Sequence, residues 1–275
     1  MIRILSFLLF LLSLAACNTN NVRQDKNLKK YFDENNVTGT FGMFDNGQGY
    51  FTIYNLERYK DSAYLPASTF KIVNSLIGIQ TGRIINEKMI IPWDGVVRKF
   101  PNGDTATAWN KDLTMEEAFK VSAVPYYQEV ARRIGKDTMK LWVDSLHYGN
   151  MNMNGPVDSF WLNNTLKISP DEQLGLVNKL YFDKLPFEKR SMQIVRDVML
   201  QENNTLYKLS YKTGWGFDEK NNAVGWITGW IEENRHVYFF VTLVKSSDKK
   251  INMQQVRMNI TKGILNELGF FKGEM

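Results

Sequence analysis

The pattern of apolar and polar positions divides the chain into segments of distinct character. Ile4 to Leu14 is an apolar run broken only by Ser6 and Ser13, too short for a comfortable membrane span. Val37–Phe44 and Tyr50–Tyr54 are β-rich runs, and the Asp45-Asn46-Gly47-Gln48-Gly49 stretch between them has hairpin chemistry. The middle of the chain reads helical. Ser68 to Gln80 is one helix candidate, ended by Thr81-Gly82, and Thr114 with Glu117 forms a capping box for a short second one. Ser169-Pro170-Asp171-Glu172 is a stronger helix start, with Pro in the first turn and Glu three residues after the cap. Phe187 to Gln201 is a further helix candidate. Strand candidates return at Leu206–Thr213, Ala223–Glu232 and His236–Val244, and Ile251–Leu268 closes the chain as a helix with apolar residues at helical spacing. Strands at both ends with helices between them predict an α+β fold: an antiparallel β-sheet flanked by helices, with a mostly helical insert. No internal repeat or composition shift divides residues 34–275, which are expected to form one catalytic domain.

Composition narrows the function. With 275 residues, 44% hydrophobic content, 13% aromatic content and seven prolines, the chain has the make-up of a packed globular protein. The net charge of +5 is spread over single residues and pairs such as Lys29-Lys30, Arg132-Arg133 and Lys249-Lys250. No basic stripe interleaved with aromatics is present, so no nucleic-acid partner is expected. One cysteine rules out an internal disulfide, and two histidines with one cysteine argue against a metal site.

The single cysteine changes the reading of the N-terminus. Arg3, the short apolar run and the small residues before Cys17 make residues 1–16 a secretory signal peptide. Leu14-Ala15-Ala16-Cys17 resembles a bacterial lipobox. That resemblance implies lipidation of Cys17 and a secreted cell-envelope lipoprotein, held on the periplasmic side or outer face of a membrane. Each buried CH₂ of an acyl chain adds roughly 0.8 kcal/mol of membrane affinity, so two or three chains would anchor it firmly. The polar Asn18–Lys30 stretch, rich in Asn and Lys, reads as tether, and residues 17–33 are expected to be a flexible lipidated linker.

Candidate chemistry begins at Ser68-Thr69-Phe70-Lys71. A serine hydroxyl is a weak nucleophile until a base takes its proton. On a helix, positions i and i+3 share a face, which brings Lys71 to Ser68. Among Phe70, Ile72, Val73 and Leu76, burial would disfavour the ammonium form and lower the Lys71 pKa. At the helix start the Ser68 backbone N–H can also stabilise developing negative charge. Alone this is a weak signal, because a Ser-x-x-Lys pair arises by chance roughly once in a chain of this length. Ser246/Lys249 and Ser247/Lys250 repeat the spacing in a polar turn that reads as solvated surface. Lys212-Thr213-Gly214, at the end of a strand candidate, offers a positive charge, a hydroxyl and close backbone approach to a ligand.

In this order, Ser-x-x-Lys, Ser122-Ala123-Val124, Tyr148-Gly149-Asn150, Trp161 and Lys212-Thr213-Gly214 resemble the class D serine β-lactamases. Trp226, Gly229, Trp230 and Arg257 fit the same pattern, and the resemblance spans about residues 35 to 270. It implies a serine β-lactamase/transpeptidase-like fold and hydrolysis of the β-lactam ring of penicillin-type antibiotics through an acyl-enzyme on Ser68. It further implies that Lys71 is carboxylated by CO₂ or bicarbonate and serves as general base. Trp161 and Val124 would support the carbamate, and Ser122 would relay a proton to the lactam nitrogen. Lys212, Thr213 and Arg257 would hold the substrate carboxylate. The backbone N–H groups of Ser68 and Trp215 would form the oxyanion hole beside Gly214, and Tyr148-Gly149-Asn150 would shape the pocket floor. The Met151–Val157 segment departs from the family pattern.

Two other readings share part of this constellation. Transpeptidases carry Ser-x-x-Lys and Lys-Thr-Gly but typically Ser-x-Asn where this chain has Ser122-Ala123-Val124. Penicillin-binding sensors resemble class D enzymes yet stay acylated, and they normally follow transmembrane helices and a protease domain that this sequence does not display. A Ser-His-Asp hydrolase lacks its Gly-x-Ser-x-Gly signature, and neither His147 nor His236 has an evident role. No oligomeric state is signalled.

Overall fold

The computed structural model describes residues 21–99 and 104–273. In chain order, β1 is Val22–Gln24, a 3₁₀ turn covers Lys26–Leu28, and α1 is Lys29–Asp33. The hairpin of β2 (Thr38–Asp45) and β3 (Tyr50–Tyr54) leads through α2 (Leu56–Asp61) to a 3₁₀ turn at Ala67–Phe70, which runs directly into α3 (Lys71–Gln80). The insert carries β4 (Ile90–Ile91), β5 (Leu113–Thr114), α4 (Met115–Lys120), α5 (Val124–Ile134), α6 (Lys136–Ser145), α7 (Pro170–Tyr181) and α8 (Lys189–Met199). Then follow β6 (Leu200–Asn203), the long strands β7 (Tyr207–Phe217), β8 (Ala223–Glu233) and β9 (His236–Ser246), and α9 (Met253–Glu267).

Seven strands make one sheet in the order β1-β3-β2-β9-β8-β7-β6. Every neighbouring pair is antiparallel, as expected, except the edge pair β1 and β3, which is parallel and makes the sheet mixed. The same β1 segment corrects the expected tether. Residues 21–33 are built into the domain: the Phe51 amide donates to the Asn21 carbonyl, the Asp25 amide to that of Ile53, and Leu28 and Phe32, four apart, are buried together. Those two apolar residues, set among Asn and Lys, pack α1 against the sheet, which a composition-based reading of the stretch overlooks. The expected signal peptide, Cys17 and residues 18–20 lie outside the described residues.

Alternation along the central strands builds two cores. In β8, Val224, Trp226 and Trp230 face the helical insert, while Ala223, Ile227 and Ile231 face α1 and α9. Covered on both faces, β8 and β9 read as nearly continuous apolar runs. On the insert side, α3 is buried from Lys71 to Ile79, a helix apolar nearly all round and hence a central one. Its N-terminal turn packs against β7, so the Ser-x-x-Lys and Lys-Thr-Gly elements meet at that seam.

Candidate active site

Ser68 lies in the 3₁₀ turn and Lys71 is the first residue of α3. The tight turn and the helix start keep the i, i+3 relation, and Lys71 Nζ donates to Ser68 Oγ at 2.7 Å. Lys71 is 1% exposed. Burial alone brings its pKa down to about 7, so the amine is largely neutral near physiological pH and can accept the serine proton. The Tyr127 ring faces Nζ at 5.5 Å. The residue before the nucleophile, Ala67, has φ +47°, a left-handed conformation that a non-glycine residue holds only under surrounding constraint.

Ser122 is presented by a second left-handed residue, at φ +58°. It ends α4 in a Schellman motif: its amide donates to the Phe119 carbonyl at 3.2 Å, and that of Ala123 to Ala118 at 2.8 Å. Glycine usually fills that position, so a serine there points to a use for the hydroxyl. Ser122 Oγ accepts from Lys212 Nζ at 3.0 Å. Lys212 is buried on β7, its other acceptor is the Thr213 carbonyl at 3.1 Å, and the Phe119 ring lies beneath it at 5.5 Å. Its pKa falls well below the usual lysine value, first through burial and then through the positive charges of Lys71 and Arg257.

Arg257, on α9, reaches across the sheet end to donate from Nη1 to the Gly214 carbonyl. It is buried, its Nε has no protein partner, and burial lowers its pKa to about 10. Three basic side chains thus converge, and the charges acting on Lys212 are those of Lys71 and Arg257. Such a site favours an anionic guest, because a carboxylate would relieve both the repulsion and the unpaired donor. Gly214 is obligatory for close approach: a Cβ there would lie 2.8 Å from the Pro66 carbonyl oxygen and 3.2 Å from Thr69 Cγ2. This closeness brings Thr213, Gly214 and Trp215 alongside the nucleophile turn.

Trp161 is 1% exposed, its ring stacks on Phe70 at 5.3 Å, and its carbonyl accepts from the Ala67 amide at 3.1 Å. It therefore flanks the turn that carries Ser68. Val124 opens α5, half-buried, two residues after Ser122. Tyr148 lies under the turn, edge-on to Phe70 at 5.5 Å. Gly149 has φ +53° and runs against the Lys167 carbonyl, and Asn150 bonds to both Lys167 and Thr165, closing the neck of the 150–167 loop. The Met-Asn repeat within that loop has a plain physical basis. Asn150 Oδ1 accepts from the Asn152 amide and Asn152 Oδ1 from the Asn154 amide, while Met153 turns into the core.

Comparison with known proteins agrees with this geometry. The penicillin-binding protein transpeptidase domain family matches residues 16–266. The "Probable beta-lactamase YbxI" of Bacillus subtilis is 39% identical over 84% of this chain and 81% of its own length. "Beta-lactamase OXA-48" of Klebsiella pneumoniae is 38% identical over 89% of each chain. Among solved structures, a class D β-lactamase from Bacillus subtilis superposes with a TM-score of 0.79 at 38% identity, covering 89% of this chain and 96% of the other. The chain belongs to the class D β-lactamases. A more distant likeness is to the C-terminal domain of the Bacillus licheniformis BlaR penicillin receptor, at 27% identity and a TM-score of 0.84, covering 93% of this chain and all of that one.

Within this class D fold, Ser68, Lys71, Ser122, Lys212, Gly214 and Arg257 come together where the nucleophile turn meets β7, Thr213 and Trp215 flank Gly214 on that strand, Trp161 flanks the turn, and Val124 follows Ser122 at the start of α5. The other two Ser-x-x-Lys pairs fall at the end of β9 and in the exposed 247–250 turn. One residue at the seam escapes a sequence reading altogether: Gln173 of α7. It is fully buried and donates from Nε2 to Thr69 Oγ1 at 2.6 Å. The capping box of Ser169 and Glu172 marks where its helix begins, but nothing local marks a glutamine whose partner is 104 residues away.

Proposed function

We propose that this chain hydrolyses the β-lactam ring of penicillin-type antibiotics through an acyl-enzyme on Ser68, and so confers resistance to them. The observation that carries the reading is the fully buried Lys71 amine, with a pKa near 7 and hydrogen-bonded to the nucleophile. Ser68 Oγ attacks the lactam carbonyl while its proton passes to Lys71. The amides of Ser68 and Trp215 receive the developing oxyanion. Ser122, held by Lys212, delivers a proton to the lactam nitrogen as the C–N bond breaks and takes in return the proton that Lys71 received from Ser68, so that Lys71 is again a base. Lys212, Thr213 and Arg257 bind the substrate carboxylate. Water then attacks the ester, giving the opened product and free Ser68.

Lys71 also fits carboxylation by CO₂. Only a neutral amine captures CO₂, and an ordinary lysine of pKa ~10.4 is neutral in about one molecule in a thousand at pH 7.4. A pKa near 7, apolar walls and the neighbouring Lys212 and Arg257 cations all favour an anionic group at Nζ. Carboxylated, Lys71 would supply an oxygen base to both acylation and deacylation. Trp161, buried against Phe70 beside the nucleophile turn, and Val124, two residues after Ser122, would be its supports. The lipobox-like Leu14–Cys17 supports the further reading of an envelope lipoprotein lipidated at Cys17.

The test is steady-state hydrolysis of a chromogenic cephalosporin by the mature protein, beside Ser68→Ala. Many turnovers that vanish in the variant support the reading. A stoichiometric burst without turnover favours the penicillin-sensor reading suggested by the BlaR likeness.

A further inference from the structure

We propose that Gln173, acting through Thr69, is a positioning residue that sets the nucleophile turn against β7; the inference rests on acylation of Ser68 by β-lactams. Thr69 has its hydroxyl fully engaged: it accepts from Gln173 Nε2 at 2.6 Å and donates to the Pro66 carbonyl at 2.7 Å. The Thr69 amide donates to that same carbonyl at 3.1 Å. Pro66 O also faces Gly214 of β7 at close range: a Cβ on Gly214 would lie 2.8 Å from it. The path Gln173–Thr69–Pro66 O therefore governs the gap between the Ser68 and Trp215 amides. It also braces Ala67, whose left-handed backbone needs a constraint from its surroundings.

The other end of Gln173 touches the opposite wall. Its main-chain carbonyl accepts from Thr228 Oγ1 at 3.4 Å, and Thr228 is the cross-strand partner of Lys212. One residue thus links the nucleophile turn to the strand pair that carries the substrate-binding lysine. Packing alone does not account for it. Gln173 Oε1 is buried without a partner of good geometry, and the buried Tyr148 hydroxyl interacts with both Thr69 and Gln173. Leaving such acceptors unsatisfied is costly in a core whose neighbours, Leu174 and Val177, are apolar. A methionine or leucine would fill the space without that cost; what the amide adds is its one short bond to Thr69.

The experiment measures single-turnover acylation by a slow penicillin in the full mature chain and in Gln173→Met, Thr69→Val, Thr69→Ser and the double variant Thr69→Val/Gln173→Met. Acylation of the unsubstituted chain is the control: if it fails, the functional reading fails, whatever the variants do. The proposal predicts a fall in the acylation rate of about 10- to 100-fold in Gln173→Met and Thr69→Val, as expected for a sub-ångström misplacement of a nucleophile. Substrate affinity and the position of the pH profile should stay put, because Lys71 is untouched. Thr69→Ser, which keeps the hydroxyl, should recover most of the rate. The double variant should be no slower than the slower single one, because both cut the same path. Wild-type acylation in Gln173→Met, or losses that multiply in the double variant, would overturn the proposal. Should Gln173→Met fail to fold, Thr69→Val decides alone, and an unchanged rate there overturns it equally.

Discussion

Acidification offers a sharp perturbation of the site, because the base must be neutral to act; Lys212, whose pKa is also lowered by burial, faces the same change, and the response to bicarbonate isolates Lys71. Lys71 has a pKa of about 7. Its neutral share is then about 70% at pH 7.4 and about 3% at pH 5.5, a drop of roughly 20-fold. The sign is fixed by the chemistry: a lysine is a base, and can capture CO₂, only when neutral, so activity falls as pH falls. An unperturbed lysine would be almost wholly protonated at both pH values and could not sustain appreciable activity at either. The two histidines, His147 and His236, are exposed, and neither takes part in the seam between α3 and β7. The assay is kcat for a chromogenic cephalosporin at constant ionic strength at these two pH values, with and without added bicarbonate. The expectation is a loss of about 10- to 30-fold at pH 5.5, partly reversed by bicarbonate through mass action on the remaining neutral amine. A flat profile, or a loss that bicarbonate leaves untouched, would refute the assignment of Lys71 as a low-pKa, carboxylated base.

Four substitutions extend the test. Lys71→Met should abolish turnover yet stabilise the fold in CO₂-depleted buffer. The folded pKa lies below the unfolded one, so the parent's stability rises with pH between about 7 and 10.5; the variant lacks that slope and gains up to about 5 kcal/mol at neutral pH and below, and equal slopes in denaturant titrations would contradict this. Gly214→Ala drives a methyl into the Pro66 carbonyl and should cost about 1–3 kcal/mol by thermal unfolding together with most of the acylation rate. Ser122→Ala removes the hydroxyl held by Lys212 and should lower kcat by about 10²- to 10⁴-fold with little effect on KM. Arg257→Ala should raise KM for a penicillin but not for its carboxylate ester, since only the free acid uses the guanidinium; equal effects on both would point to a purely structural arginine.

Most of the fold is legible in the chain because its signals are local. The apolar, β-branched and aromatic runs of β8 and β9, the capping boxes at Thr114 and Ser169 and the Asp45–Gly49 turn each fix an element from its own residues. The site is only partly legible. Ser68 and Lys71 are neighbours on one turn, so their meeting follows from spacing alone. Lys212 and Ser122 meet across 90 residues, and only resemblance to a family joins them beforehand. Gln173 is silent because a lone buried amide has no periodic or local signature. The N-terminal stretch misleads in the opposite direction. Its Asn- and Lys-rich composition reads as linker, yet Leu28 and Phe32 are enough to dock residues 21–33 onto the sheet. Left-handed Ala67 and Ser122 are likewise invisible in sequence, since neither is the glycine that usually marks such a backbone.

Time-resolved intact mass after mixing the mature protein with excess penicillin bears most directly on the central claim. A single adduct on Ser68 that forms, decays to unmodified protein and leaves many equivalents of ring-opened product is the predicted result. An adduct that persists at one per chain, with no product beyond it, would contradict hydrolysis and mark the chain as a penicillin sensor or transpeptidase.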